Sequence, residues 1–491
     1  GYLQEQAGFT RRGKGGAELE ACKLVFAAYE HGTSRAQDPQ LHTHALMMNV
    51  GVREDGTTGT LATRQLYNHK MAAGALYRAE LARQLEQRLG LRSLQEGSSF
   101  RLEGVSQDLA EFFSKRRAEI ARKLTAHGSS GGVASERAAL PTRTNKDHRP
   151  RAELIPEWQK IGREMGFGKE ELGDLLGSPR NQSDDELRLK ARLRALTAFE
   201  ELTDRQTTFT EAQLTHQTAK LAQAEGVGLD LVLAAVEERL ADSNIIRLGQ
   251  VDGQVRYTTK EIINLEENLL ARAKRMGELS AEVRVLDRHR AEALADRPTI
   301  TDEQTGAVLY ATDSAKRIAI IEGDAGTGKT FMLGAARAAW EAAGQRVIGV
   351  ALAGKAAEGL EEGAGIESRT VASLLMRAEW EEQQGGEQVK NPVSDSNTVL
   401  VVDEAGMIDT KQMDSLTSLV AKRGAKLVLV GDQKQLQAIE LGGSFAALGQ
   451  ELGTYRMSEV MRQQDPEHRQ AISKLAEGEA GEALGFYAEK G

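Results

Sequence analysis

One cysteine, Cys22, occurs in 491 residues. A disulfide framework and a cysteine-based zinc site are therefore excluded, and a reducing compartment fits. Aromatic residues make up only 4% of the chain, so base stacking along an aromatic-lined track cannot be widespread. No stretch approaches the ~18–20 uninterrupted apolar residues that span a bilayer. The first residues, Gly-Tyr-Leu-Gln-Glu-Gln, carry neither a signal-peptide nor a transit-peptide pattern. Together these shortages predict a cytoplasmic protein with no membrane insertion. What is present is ordinary for a soluble chain: 40% hydrophobic and 27% charged residues, too apolar for disorder. The length corresponds to about three domains.

The net charge of −9 argues at first against a nucleic-acid partner, but it is unevenly spread. Residues 1–150 hold 22 Lys and Arg against 16 Asp and Glu, a net of +6, and the rest carries −15. A mildly basic first third precedes an acidic remainder, and local surfaces rather than the global sign decide contact with phosphates.

Leu24–Tyr29 and Leu41–Val50 read as strands around a turn at Asp38-Pro39, followed by a helix over Leu66–Leu89. Asp108–Leu124 reads as another helix, carrying Lys115-Arg116-Arg117. Residues 126–150 are rich in Gly, Ser and Pro and mark a boundary. From 184 to 275 the pattern is helical, with one hairpin: Ile245–Leu248, Asp252-Gly253, Val255–Thr258. After residue 298 the rhythm becomes strand, loop, helix, with strand cores at Ile318–Ile321, Val347–Leu352, Val399–Val402 and Leu427–Val430. That alternation predicts a RecA-like, doubly wound parallel sheet. The polar segment Glu379–Asn397 reads as a surface insertion, and Trp158, Trp340 and Trp380 as packing residues. The whole is an α/β multidomain chain.

Residues 323–330 read Gly-Asp-Ala-Gly-Thr-Gly-Lys-Thr after a buried-looking strand and before a helix, the context a P-loop requires. The stretch Gly323, Asp324, Ala325, Gly326, Thr327 and Gly328 can turn backbone N–H groups toward phosphate oxygens, aided by the helix N-terminus. Lys329 would reach the β- and γ-phosphates of ATP, and Thr330 would ligate Mg²⁺. Val399–Val402 then runs into Asp403-Glu404. Alone, such a pair also serves as a helix N-cap; behind a P-loop, Asp403 suits Mg²⁺ and Glu404 suits the attacking water. At the next strand tip, Gly431–Leu436, either Gln433 or Gln435 can sense the γ-phosphate.

These elements resemble superfamily 1 helicases of the RecD-like branch over roughly residues 186–491. Thr301-Asp302-Glu303-Gln304 is similar to that family's adenine-reading segment, with Gln304 as the contact. Ala353–Ala357 and Ser368–Thr370 are similar to its DNA-contacting motifs. Val460-Met461-Arg462-Gln463 is similar to the motif whose arginine, here Arg462, faces the γ-phosphate. The resemblance implies catalytic roles for Lys329, Glu404, Arg462 and Gln435.

His31, His42 and His44 form a second constellation. His42 and His44 are two apart on a strand and share a face, and the turn returns the chain beside His31. Spacing alone admits either hydrogen-bonded strand histidines or three ligands for one divalent cation. The surrounding Thr33-Ser34-Arg35 and Asp38–His44, with Leu66-Tyr67 and Gly74–Leu81, resemble the metal-binding region of MobF-type conjugative relaxases, the TrwC/TraI-like proteins. In that family three histidines hold a divalent cation that polarises the scissile DNA phosphate, and a tyrosine near the N-terminus attacks it. The resemblance implies that the nucleophile lies upstream of Gly1; neither Tyr2 nor Tyr29 occupies its motif.

The order of parts resembles the MobF architecture and implies an internal segment of a relaxase–helicase. The expected divisions are the later relaxase domain at 1–130, linking helices at 131–185, a winged-helix-like connector at 186–297, and an ATPase lobe with the start of a second at 298–491. Implied partners are single-stranded and duplex DNA at a transfer origin, with relaxosome and coupling proteins. Arg11–Gly16 could grip DNA as a loop or simply be solvated. Two other functions remain compatible with these residues. One is a RecD-like repair helicase with a non-catalytic N-terminal DNA-binding domain. The other is a DNA-binding fragment without ATP turnover.

Overall fold

The computed structural model describes residues 1–115 except Lys14 and Ala17, then Ala118, 149–384 except Ser178, 392–432, 443–459, Gly481, Gly485 and Phe486. Arg462, Gln433 and Gln435 lie outside the described residues, as do Arg116 and Arg117. The chain forms two compact units, Gly1–Thr203 with Phe209–Tyr257, and Asp204–Thr208 with Thr258–Gly491.

The first unit contains an antiparallel sheet in the order β1 (Phe9–Arg12), β2 (Glu18–Thr33), β3 (Pro39–Arg53), β4 (Thr58–Gly59). The two long central strands extend the expected ones by several residues at each end. Period-2 alternation cannot mark those ends, because both faces of the ribbon are largely exposed. Arg11 and Arg12 belong to β1 rather than to a loop. Arg12 is committed to Glu20 and Asp55 at 2.9 and 3.0 Å.

The helix Thr63–Leu89 ends at Gly90, whose φ of +69° supplies the left-handed cap. It buries Ala72, Ala75 and Leu76 against Ala191, Ala195, Ala219, Ala222 and Val232 from the following helices. Small side chains at facing positions let these helices approach closely. A second contact fixes its start: Tyr2 Oη lies 2.9 Å from His69 Nδ1, with both residues buried. After β5 (Ser93–Glu96) and β6 (Ser99–Leu102), the small sheet β7 (Phe209–Thr210), β9 (Gln254–Thr259), β8 (Ile245–Val251) closes the helical module. Its hairpin turns at Asp252 and Gly253 with φ of +56° and +76°, the pattern that Asp-Gly favours.

The second unit is a six-stranded, wholly parallel sheet. Its order is β12 (Ser368–Thr370), β11 (Arg346–Ala351), β13 (Thr398–Val402), β14 (Lys426–Gly431), β10 (Ile318–Gly323), β15 (Tyr455–Met457). Alternate residues feed two cores. Ile318, Ile320, Leu400 and Leu427 face one; Ala319, Ile321, Val399 and Val428 face the other. Burial of both faces explains why these strands read as continuous apolar runs.

The connector expected over 186–297 is divided between the units. Residues 184–203 and 209–257 belong to the first, whereas Leu269, Ala273 and Met276 of the helix Lys260–Glu278 pack into a core of the parallel sheet. The expected insertion at 379–397 also begins inside a helix, Val371–Gln383. There Glu381 is fully buried and accepts the Val393 N–H at 2.9 Å, so a charged residue marks the core rather than the surface. Trp340 is buried as expected, but Trp380 is 47% exposed and lies against Arg377.

Candidate functional site

In the second unit β10 runs directly into the Gly-rich loop. Gly326 and Gly328 adopt φ of +85° and +80°, conformations that L side chains rarely enter, and the helix Lys329–Ala342 begins at once. A methyl group on Gly323 would stand 3.0 Å from the Lys329 side chain and 3.1 Å from Thr327 Oγ1. Lys329 Nζ donates to the carbonyl oxygens of Gly323 at 2.6 Å and Asp324 at 3.3 Å, closing the loop on itself. Gln304 is buried behind it: Nε2 donates to the Thr327 carbonyl at 3.0 Å, and Oε1 accepts the Thr301 N–H at 3.2 Å.

A cavity of about 610 Å³ is lined by Ala325, Gly326, Gly328, Lys329, Thr330, Asp403 and Glu404. The sequence-predicted phosphate, magnesium and water-activating residues thus converge on one space. The Asp403 N–H is anchored on the Val350 carbonyl at 2.9 Å. Burial raises the Asp403 carboxyl above its ordinary value, opposed by the Glu404 N–H donated to it at 2.9 Å and by the charge of Lys329. Glu404 holds φ of +51°, a left-handed conformation on a residue with no glycine-like freedom. The glycine cradle, the lysine already turned to acceptors and the acid pair fit a nucleotide phosphate chain with its magnesium.

In the first unit the β2–β3 register pairs His31 with His42 and Tyr29 with His44. Directly opposed residues share a face, so the three imidazoles converge; one ligand nitrogen from each lies within 4.8 Å of the others. His42 Nε2 and His44 Nε2 are 3.3 Å apart, and His42 Nδ1 lies 2.9 Å from the Gln40 carbonyl. That carbonyl can only accept, so Nδ1 carries the hydrogen and Nε2 presents its lone pair to the cluster. An outer partner that orients the ring toward its free nitrogen is the usual arrangement around a metal-ligating imidazole. The donor set fits a divalent cation.

Two contributors were not found by reading motifs: the orienting carbonyl of Gln40 and the register partner Tyr29. Counting back from a turn centred on Asp38-Pro39 would pair His44 with Thr33; the observed register, with an irregularity between His31 and Thr33, pairs it with Tyr29 instead. Asp38 itself is buried, accepts the Lys115 N–H at 3.1 Å, and stabilises the turn that brings the strands together. Tyr2 packs on His69 within the helical core of the first unit.

Comparison with known proteins gives one family match for each part of the chain. Residues 1–165 match the TrwC relaxase family, and residues 299–491 match the AAA domain family. The conjugal transfer protein TraA of Agrobacterium fabrum is 40% identical over 232 residues, which is 47% of this chain and 20% of that protein. The multifunctional conjugation protein TraI of Escherichia coli K12 is 28% identical over 253 residues, 47% of this chain and 14% of that protein. A solved conjugative relaxase TrwC in complex with oriT DNA is 31% identical, with a TM-score of 0.32, covering 34% of this chain and 60% of that one. The chain spans about a fifth of the length of the TraA relatives it matches. A segment that matches the TrwC relaxase family is thus followed, on the same polypeptide, by one that matches the AAA domain family.

Proposed function

We propose that this chain is the part of a conjugative relaxase–helicase that joins metal-assisted strand transfer at a transfer origin to an ATP-driven DNA motor. The observation that carries the proposal is the three-imidazole cluster within a TrwC relaxase segment, ahead of a complete phosphate loop on the same chain. His31, His42 and His44 would hold a divalent cation, which when bound supplies Lewis-acid polarisation of a DNA phosphate. The Gln40 carbonyl keeps His42 in the tautomer that ligation needs. The reaction class is transesterification at a phosphodiester, and no tyrosine of this chain is assigned as its nucleophile.

In the motor, Gly323 to Gly328 present backbone N–H groups to the phosphates of ATP, and Lys329 transfers its hydrogen bonds from the loop carbonyls to phosphate oxygens. Thr330 and Asp403 would hold Mg²⁺, and Glu404 orients and deprotonates water. Gln304 fixes the loop on the adenine side. Arg462 and Gln435 are proposed to face the γ-phosphate and to relay its presence to DNA. The DNA is single-stranded and duplex DNA at the origin, met together with relaxosome and coupling proteins in the cytoplasm. Among the described residues, no helix is long and apolar enough to cross a membrane.

The test combines two measurements on the full chain. Mn²⁺ binding should be lost in the His31→Ala/His42→Ala/His44→Ala variant, and ATP turnover stimulated by single-stranded DNA should be lost in Lys329→Ala. Metal binding that survives the triple substitution would sink the relaxase part; turnover that survives Lys329→Ala would sink the motor part.

A further inference from the structure

The face that carries the histidines continues beyond them. On β2, Ala27, Tyr29 and His31 alternate onto one side; on β3 their direct partners are Leu46, His44 and His42. From the turn inward the face therefore runs from imidazole pair, to imidazole beside phenol, to an Ala–Leu pair. Tyr29 is 54% exposed and Leu46 is 55% exposed, in the middle of strands rather than at their ends. Neither contributes its area to a core of the first unit.

Val25, Phe26, Leu41, Met48 and Val50 on the same strands are exposed as well, so exposure alone does not single out Tyr29. Its place does: it is the aromatic directly opposite a histidine of the cluster. Two residues along a strand cover about 6.6 Å, the order of the step from a nucleotide's phosphate to its base. A phosphate at the imidazoles would set the attached base over the ring of Tyr29 and the Leu46 side chain. Base–aromatic stacking tolerates any sequence, because every base has a π-face.

We propose that Tyr29 is a base-stacking residue that positions the nucleotide whose phosphate lies at His31, His42 and His44. The inference rests on the relaxase reading of those histidines, and it adds a contact that the metal site alone does not supply. Stacking uses the ring and leaves the hydroxyl idle, so Tyr29→Phe and Tyr29→Ala behave differently.

The experiment measures binding of the full chain to a labelled mixed-sequence single-stranded 20-mer and to a fully abasic backbone of the same length. Tyr29→Ala should bind the 20-mer at least about fivefold more weakly than wild type, with Tyr29→Phe close to wild type. On the abasic backbone the wild-type to Tyr29→Ala ratio should return to about one. A ratio near one on the ordinary 20-mer, a ratio that persists on the abasic backbone, or an equal loss in Tyr29→Phe would each overturn the proposal. Thermal unfolding separates a packing role: a lowered melting temperature with unchanged DNA binding also overturns it. Mn²⁺ binding is read in parallel. A wild-type chain that binds no Mn²⁺ refutes the metal reading of the histidines, whereas the stacking ratio is measured without metal and stands or falls by itself.

Discussion

His42 Nε2 and His44 Nε2 lie 3.3 Å apart on one face of the β2–β3 ribbon, with His42 held from behind by the Gln40 carbonyl. Two imidazole lone pairs at that separation repel unless a proton or a cation stands between them. A divalent cation binding only the folded unit should therefore stabilise it, by about 2.7 kcal/mol at a hundredfold excess over Kd. Thermal unfolding with and without Mn²⁺ checks this. Single His42→Ala or His44→Ala changes should weaken the shift by at least the roughly 10–100-fold in affinity that even an outer partner is worth. An undiminished shift in the triple variant would place the metal elsewhere.

Lys329 donates to carbonyl oxygens of its own loop, so removing it costs neutral hydrogen bonds and the nearby positive charge that favours the Asp403 carboxylate. Lys329→Ala should abolish ATP hydrolysis while changing unfolding free energy by about 1 kcal/mol or less. Glu404→Gln should differ in kind: it keeps ATP binding and loses turnover by roughly 10²–10⁴-fold. Nucleotide binding and single-turnover hydrolysis, measured separately, distinguish them. If Glu404→Gln failed to bind ATP, the acid would be holding the nucleotide rather than activating water.

Asp403 gives a pH dependence whose sign follows from burial. Its carboxyl is raised in the folded chain, so the native state keeps its proton to higher pH than the unfolded state does. As pH rises from the ordinary carboxylate range near about 4 through the raised native value, stability from this group falls and stays lower at neutrality. Asp403→Asn should therefore gain stability at pH 7.5, by about 1 kcal/mol, with little gain near pH 4, while losing Mg²⁺-dependent ATP turnover. Calorimetry at the two pH values tests it; a variant less stable at pH 7.5 would show that the charged form is the one the fold prefers.

The phosphate loop, the acid pair and the four strand cores were legible because each is local: a run of apolar residues, then a fixed spacing of Gly, Lys and Asp. The histidine cluster was legible for the same reason, through the two-residue spacing of His42 and His44. What escaped was set by pairing across distance. Tyr29 gained meaning only from its register with His44, and Glu381 reads as surface until its contact with Val393 is seen. The split of the connector escaped too. Ala191 and Leu269 are equally ordinary helix residues, and only packing decides that one joins the core around Ala75 and the other the core around Ile320.

Gln304 is the residue whose expected role the geometry makes most testable. As an adenine reader it would donate and accept at the base. In the structure Oε1 takes the Thr301 N–H and Nε2 gives to the Thr327 carbonyl, so both groups already tie the start of a helix to the phosphate loop. The tie explains its burial at 3% exposure. It also implies a base-independent effect: without the amide the loop loses its brace, whatever purine follows. Each neutral hydrogen bond lost is worth about 0.5–1.5 kcal/mol, roughly a two- to tenfold change. Gln304→Ala should lower kcat/KM for ATP and for GTP by similar factors in that range. A loss confined to ATP would mean that the amide leaves Thr327 to read adenine when nucleotide binds.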